Sequence, residues 1–216
     1  MKYYFIPFRG NIDDFFHIFL LNYDSKFNTI IVMKNIQFIK ESLKSLKEVG
    51  TVFPSSKFVV SKMIEPINFE KDISILEFGS GTGVITKEIL KNMTVRSKLI
   101  CFETNESFQK ELKQKFDGKI TLINDSAENM KFHLNKLEIT KVDYIISSIP
   151  LMTLPKKITN NILLTSSEIL GKNKKFVQLQ YSKMMDKRLK KYFNQIDIKF
   201  THKNYIPAFI YTCYNQ

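Results

Sequence analysis

A glycine-rich turn and three acidic side chains carry the chemistry most legible in this 216-residue chain. In Glu77-Phe78-Gly79-Ser80-Gly81-Thr82-Gly83 an apolar run ends in glycines and leads into a helical pattern. Glycines let the backbone turn sharply and let a ligand touch main chain, and the N–H groups opening a helix offer uncommitted donors. Such a turn suits a nucleotide-type ligand without saying which. Glu103 falls twenty residues beyond Gly83, at the expected end of a second strand, where a carboxylate can accept both hydroxyls of a ribose. Asn124-Asp125-Ser126-Ala127 closes a third strand with another acid, suited to a base amino group. Taken singly, Glu103 and Asp125 read equally well as strand-end solubilisers or helix caps; their joint occurrence at successive strand ends favours a ligand.

The elements that must hold these groups follow from hydrophobic periodicity. Short β-branched runs alternate with helical stretches, the pattern of a doubly wound, mostly parallel sheet. Strands are predicted at Ile73–Phe78, Lys98–Glu103, Lys119–Asn124, Val142–Ser147, Phe176–Tyr181, Ile196–His202 and Ala208–Tyr214. Helices are predicted at Val84–Asn92, Glu106–Phe116, Ala127–Leu134, Lys157–Leu170 and Lys183–Phe193, with a turn at Pro207 closing a C-terminal hairpin. Upstream, Ser55 and Ser56 can cap a helix over Lys57–Ile64 that stops before Pro66. Ile36, Ile39, Leu43 and Leu46 give Asn35–Val49 one apolar, Lys-flanked face. The expected organisation is an N-terminal extension over 1–32, with Met33 as an alternative start, an amphipathic segment over 33–66 and the main α/β domain over 67–216.

Lys and Arg number 33 against 21 Asp and Glu, a formal net charge of +12 that fits a polyanion or an anionic lipid surface as partner. The same excess also follows from Lys- and Asn-rich usage in general. Cys101 and Cys213 sit in strand-like runs and read as reduced core thiols of a cytoplasmic protein. His17, His133 and His202 show no metal-ligand spacing, so no metal is expected. The apolar run Phe15–Leu21 is far short of the ~20 residues that span a bilayer.

Glu77 two residues before the first glycine, and a third glycine one residue early for G-x-G-x-x-G, favour S-adenosyl-L-methionine over a dinucleotide. From about Ile36 onward the chain resembles the bacterial phospholipid N-methyltransferases, relatives of the ribosomal RNA adenine dimethyltransferases. The likeness rests on Gly50-Thr51-Val52-Phe53-Pro54-Ser55-Ser56, the loop Leu76–Gly83, the turn Ser148-Ile149-Pro150-Leu151 and the run Phe176–Ser182. It implies a Rossmann-like class I methyltransferase fold of seven strands, the last inserted antiparallel between the fifth and sixth.

The resemblance further implies methylation of the amine of phosphatidylethanolamine at a membrane's cytoplasmic face. Cofactor contacts would come from Glu77, Gly79, Ser80, Gly81, Thr82, Gly83, Glu103, Asp125, Ser126 and Ser148. Phe53, Pro54, Ser55, Ile149, Pro150 and Leu151 would line the substrate pocket, with Met152 extending an apolar wall beside the sulfonium. Tyr181 and Ser148 are the candidates nearest the chemistry. Adenine methylases carry Asn or Asp, then Pro-Pro-Tyr or Leu-Pro-Tyr, at the Ser148–Leu151 position, to grip and stack a flipped base. Ser148 and Leu151 depart from both features, which makes nucleic acid the less expected partner. Membrane contact is expected from Asn35–Val49 and from Lys183–Phe193, where Met185, Leu189 and Tyr192 oppose Lys187, Arg188, Lys190 and Lys191. An adenine N6-methyltransferase and a catalytically silent binding protein stand as alternatives.

Overall fold

The computed structural model describes residues 56–202, 204 and 207–216. The extension 1–32, the amphipathic stretch Asn35–Val49 and the pocket candidates Phe53, Pro54 and Ser55 lie outside the described residues. All described elements belong to the compact unit Gly50–Gln216.

Seven strands form one sheet: β1 (Ser74–Phe78), β2 (Lys98–Phe102), β3 (Thr121–Ile123), β4 (Tyr144–Ser147), β5 (Lys175–Gln180), β6 (Gln195–Thr201) and β7 (Ala208–Tyr214). Their spatial order is β3-β2-β1-β4-β5-β7-β6. β1 to β5 run parallel, and β7 enters antiparallel between β5 and β6, pairing Leu179 with Ile210 on one side and Lys199 with Ile210 on the other. The sheet is thus the expected Rossmann-like methyltransferase sheet with its terminal hairpin.

Helices cover both faces, as a parallel sheet with apolar side chains on both sides requires. α1 (Lys57–Ile64) begins at Ser56, whose hydroxyl accepts the Val59 amide, and it buries Val59, Val60 and Met63. α2 (Val84–Asn92) follows the glycine turn, and α3 (Glu106–Phe116) is capped by Asn105. A 3-10 turn at Ala127–Asn129 leads into α4 (Met130–Lys136), and α5 (Lys156–Ile169) follows β4. On one face Leu76, Phe78, Ile100, Phe102, Ile145 and Phe176 pack beneath Met130, Leu134, Ile162 and Leu163. On the other, Ile75, Leu99, Cys101, Ile146 and Val177 pack beneath α1 and Ile85 and Ile89 of α2.

The continuous helix expected over Lys183–Phe193 is instead a 3-10 turn, Lys183–Met185, and a single helical turn, α6 (Asp186–Leu189). Beyond Leu189 the C-terminal Asn215 captures the backbone: its Oδ1 accepts the Asn194 amide at 2.9 Å and its Nδ2 donates to the Tyr192 carbonyl at 3.5 Å. The apolar residues keep helical spacing, but they face inward. Met185, Leu189 and Phe193 are buried in the core and Tyr192 packs against it, so this stripe is committed to the protein interior. Lys183, Met184, Lys187, Lys190 and Lys191 of the segment remain exposed.

Candidate active site

The glycine turn is built by close approach on two sides and an opening on the third. Gly79, Gly81 and Gly83 all have positive φ, at +75°, +52° and +81°. A Cβ on Gly83 would stand 2.4 Å from Cε2 of Phe116, and one on Gly79 would stand 2.7 Å from Cγ2 of Ile149. At Gly81 it would meet nothing within 4 Å, so this is where the turn faces open space. The Gly79 amide donates to the Phe102 carbonyl at 2.8 Å, which fastens the turn to β2.

Glu103, one residue past β2, aims its carboxylate across the turn. Oε2 accepts the Gly81 amide at 2.8 Å and Oε1 the Asn105 amide at 2.8 Å. Each oxygen thereby takes one protein donor and keeps a lone pair for a ligand hydroxyl. Gln109 Nε2 donates to the Glu103 carbonyl at 2.7 Å, so the residue is fixed from both ends.

Glu77 lies inside the sheet, 1% exposed. Its Oε2 accepts from Thr86 Oγ1 at 2.7 Å and from the Cys101 thiol at 3.4 Å, whereas Oε1 has no partner among the described residues. Burial outweighs those donors and pushes the carboxyl up to about 7. Burial likewise pushes the Cys101 thiol up, so it remains a donor to Glu77. Ser80 places a second unpartnered polar atom, its Oγ, under the turn.

Asp125 stands two residues beyond β3 in a polar cluster. His133 Nε2 lies 2.7 Å from its Oδ2, Asn129 Nδ2 reaches both carboxylate oxygens, and the Ser126 amide donates to Oδ1 at 2.6 Å. The His133 hydrogen bond, foremost, holds this carboxyl below the usual carboxylate range. Ser126 itself caps the following turn through the Glu128 amide. His133 was not among the sequence candidates. Its signal is the spacing Asp125, Asn129, His133, one helical repeat apart each time.

The turn after β4 closes the site. Ser148 Oγ donates to the Gly79 carbonyl at 2.6 Å, and Gln178 Nε2 donates to the Ile149 carbonyl at 3.0 Å. Ile149 is half-buried against Gly79 and Pro150 is exposed. Leu151, expected in the substrate wall, is 0% exposed and belongs to the core beneath β4. The Leu151 amide bonds to the Ile149 carbonyl, a tight turn that carries the side chain back inward. Tyr181 is half-buried one residue past β5, packed on the opposite core, and burial pushes its phenol up.

The donor set fits a nucleoside-bearing cofactor with a cationic, amine-containing tail. Glu103 keeps acceptor capacity for hydroxyls, Gly81 leaves room for main-chain approach, Asp125 stays ionised, and Glu77 holds an unpartnered buried oxygen. With the β7 insertion, these features define a Rossmann-like, S-adenosyl-L-methionine-dependent methyltransferase. The profile of the ribosomal RNA adenine dimethylase family matches residues 43–199, and the chain belongs to that family.

Among similar proteins, an ornithine lipid N-methyltransferase of Singulisphaera acidiphila is 22% identical over 179 residues, covering 82% of this chain and 93% of that one. A ribosomal RNA small subunit methyltransferase A of Mycoplasma capricolum is 30% identical over 128 residues, covering 59% of this chain. The match spans 46% of that enzyme, about half its length. In structure the chain is similar to an N-methyltransferase of Bradyrhizobium japonicum bound to S-adenosyl-L-homocysteine, with a TM-score of 0.59, 10% identity, and 74% and 86% of the two chains covered. A precorrin-6y methyltransferase of Geobacter metallireducens gives a TM-score of 0.60 at 12% identity, over 76% and 91% of the two chains.

Proposed function

We propose that this methyltransferase acts on the amine of a membrane lipid, phosphatidylethanolamine or a related aminolipid such as an ornithine lipid. The observation that carries this reading is the turn after β4. Gripping a flipped adenine takes a side-chain amide or carboxylate and an exposed aromatic ring at this turn. Here Ser148 commits its hydroxyl to the Gly79 carbonyl, and Leu151 has no ring and is wholly buried. The turn itself presents Ile149 and Pro150, an apolar pair suited to an aliphatic amine. The extensive overlap with the ornithine lipid enzyme supports the same direction.

The cofactor supplies an electrophilic methyl on a sulfonium. In this reading Glu103 accepts the ribose hydroxyls, Asp125, oriented by His133 and Asn129, accepts the adenine amino group, and Gly81 lets the ligand lie against main chain. Ile149 and Pro150 exclude water from the methyl. The lipid ammonium must first lose a proton to water, so that its nitrogen lone pair is free to take the methyl that the bound cofactor would supply. Tyr181, with its phenol pushed up by burial, stays neutral and contributes its ring to the developing ammonium rather than a base. The exposed Lys187, Lys190 and Lys191, with the half-exposed Arg188, provide contact with a membrane's cytoplasmic face. No helix among the described residues is long and apolar enough to cross a membrane.

A second reading, adenine methylation in ribosomal RNA, is favoured by the family match. Purified protein with methyl-labelled cofactor, offered phosphatidylethanolamine vesicles, ornithine lipid vesicles and ribosomal RNA in parallel, separates them. Label is expected in lipid. Label in RNA alone would reverse the assignment, and label in neither would make the chain a silent binding protein.

A further inference from the structure

A surface cavity of about 360 Å³ lies between the start of α5 and the segment after β5, lined by Lys156, Asn160, Met184, Lys187, Arg188 and Lys191. Both flanking segments leave the carboxyl ends of parallel strands, β4 and β5. That edge of the sheet also carries the glycine turn, Glu103, Asp125, the Ser148 turn and Tyr181. Ligands of doubly wound sheets bind along this edge.

The lining is one-signed. Four of its six residues are cations, none of the six is a carboxylate, and none of the four has an ion-pair partner among the described residues. The nearby Asp186 is taken by Lys190 at 2.8 Å. An Arg fork beside three ammonium groups and an Asn amide is a donor set for a phosphate oxyanion.

The cavity also has an apolar lip. Met184 is 53% exposed within the ring of cations. An exposed methionine among these four cations suits the boundary between headgroup and acyl chain, where one ligand presents a phosphate and hydrocarbon together. A nucleic acid backbone offers phosphate and sugar and gives Met184 nothing to bury against.

We propose that this cavity holds the phosphodiester of the aminolipid whose nitrogen is methylated, so that the preferred substrate is a phosphate-bearing lipid. The inference rests on the lipid-amine reading above. A phosphate-free aminolipid, such as an ornithine lipid, offers only a carboxylate to the same cations and is held less well.

The test uses Lys187→Gln/Arg188→Gln/Lys191→Gln and the charge-preserving Lys187→Arg/Lys191→Arg, both checked for unchanged melting temperature and cofactor affinity. The substrates are monomeric short-chain phosphatidylethanolamine and the long-chain lipid in vesicles containing phosphatidylglycerol. With the monomeric substrate, KM is expected to rise about tenfold in the neutralised protein, with kcat within about twofold and the arginine variant near wild type. Unchanged KM for both substrates would overturn the inference and leave the lipid-amine reading standing. A loss confined to vesicles would overturn it as well, because the cations would then bind surrounding anionic lipid rather than the substrate. Wild-type protein that labels no lipid would overturn the underlying reading, and this inference with it.

Discussion

His133 Nε2 lies 2.7 Å from Oδ2 of Asp125, and the His133 ring packs edge-on to Phe102 with centroids 5.9 Å apart. The carboxylate proposed for the adenine amino group is therefore oriented by an imidazole that is itself seated on the core. Removing that imidazole leaves Asp125 with Asn129 and the Ser126 amide, fewer constraints on its direction. His133→Ala is expected to weaken cofactor binding about fivefold, the equivalent of about 1 kcal/mol, by calorimetric titration. His133→Phe keeps the aromatic contact and should show the same loss; full affinity in the Phe variant would mean that packing alone matters.

Gly81 and Gly83 share a left-handed backbone but differ in surroundings, so alanine at each should fail differently. At Gly83 the new Cβ meets Phe116 at 2.4 Å, and φ +81° adds strain. Gly83→Ala should lower stability by about 2 to 4 kcal/mol, seen in urea unfolding without cofactor. Gly81→Ala meets no atom within 4 Å, so its cost to the free protein is backbone strain alone, about 1 kcal/mol, and its main loss should be cofactor affinity.

Glu77 links stability to pH. Its carboxyl, pushed up to about 7 by burial, stands above the 4.5 of an unperturbed glutamate, so across that interval the folded state binds more protons than the unfolded one. Stability from this group is greatest below about 4.5, falls as pH rises to about 7, and stays low above it, a swing on the order of 3 kcal/mol. Glu77→Gln mimics the protonated form. Chemical denaturation without cofactor at pH 5 and pH 8 should show the two proteins alike at pH 5 and the variant more stable at pH 8. Equal pH dependence in both would refute the assignment.

Tyr181 divides ring from hydroxyl. Because its phenol is held neutral, Tyr181→Phe should keep methyl transfer within about threefold, while Tyr181→Ala should lose about tenfold. Steady-state rates and product distribution on phosphatidylethanolamine decide it: two variants with wild-type behaviour would remove Tyr181 from the reaction.

Much of the architecture was written in periodicity. The helices Val84–Asn92 and Glu106–Phe116 and the strand Ala208–Tyr214 have the bounds their patterns predict, because caps, glycines and β-branched runs mark their ends. At Lys183–Phe193 the apolar spacing is kept but the backbone is 3-10 over Lys183–Met185 and α-helical only over Asp186–Leu189, and past Phe193 Asn215 takes the Asn194 amide. Leu151 misled in another way: the sequence motif places it beside the donor, but a tight turn folds it into the core. His133 was hidden because its partner is eight residues away across a change from 3-10 to α backbone.

Ser148 Oγ ties the turn after β4 to the Gly79 carbonyl, and Ile149 fills the space a side chain on Gly79 would need. The segment proposed to select the acceptor and the loop proposed to hold the donor are thus mechanically one part. Exchanging the Ser148–Leu151 turn for that of an adenine methylase would replace both the hydroxyl bonded to the Gly79 carbonyl and the Ile149 side chain packed on Gly79, so a change of acceptor carries a change of donor affinity. New acceptor specificity on this scaffold therefore has to be built by moving both loops together.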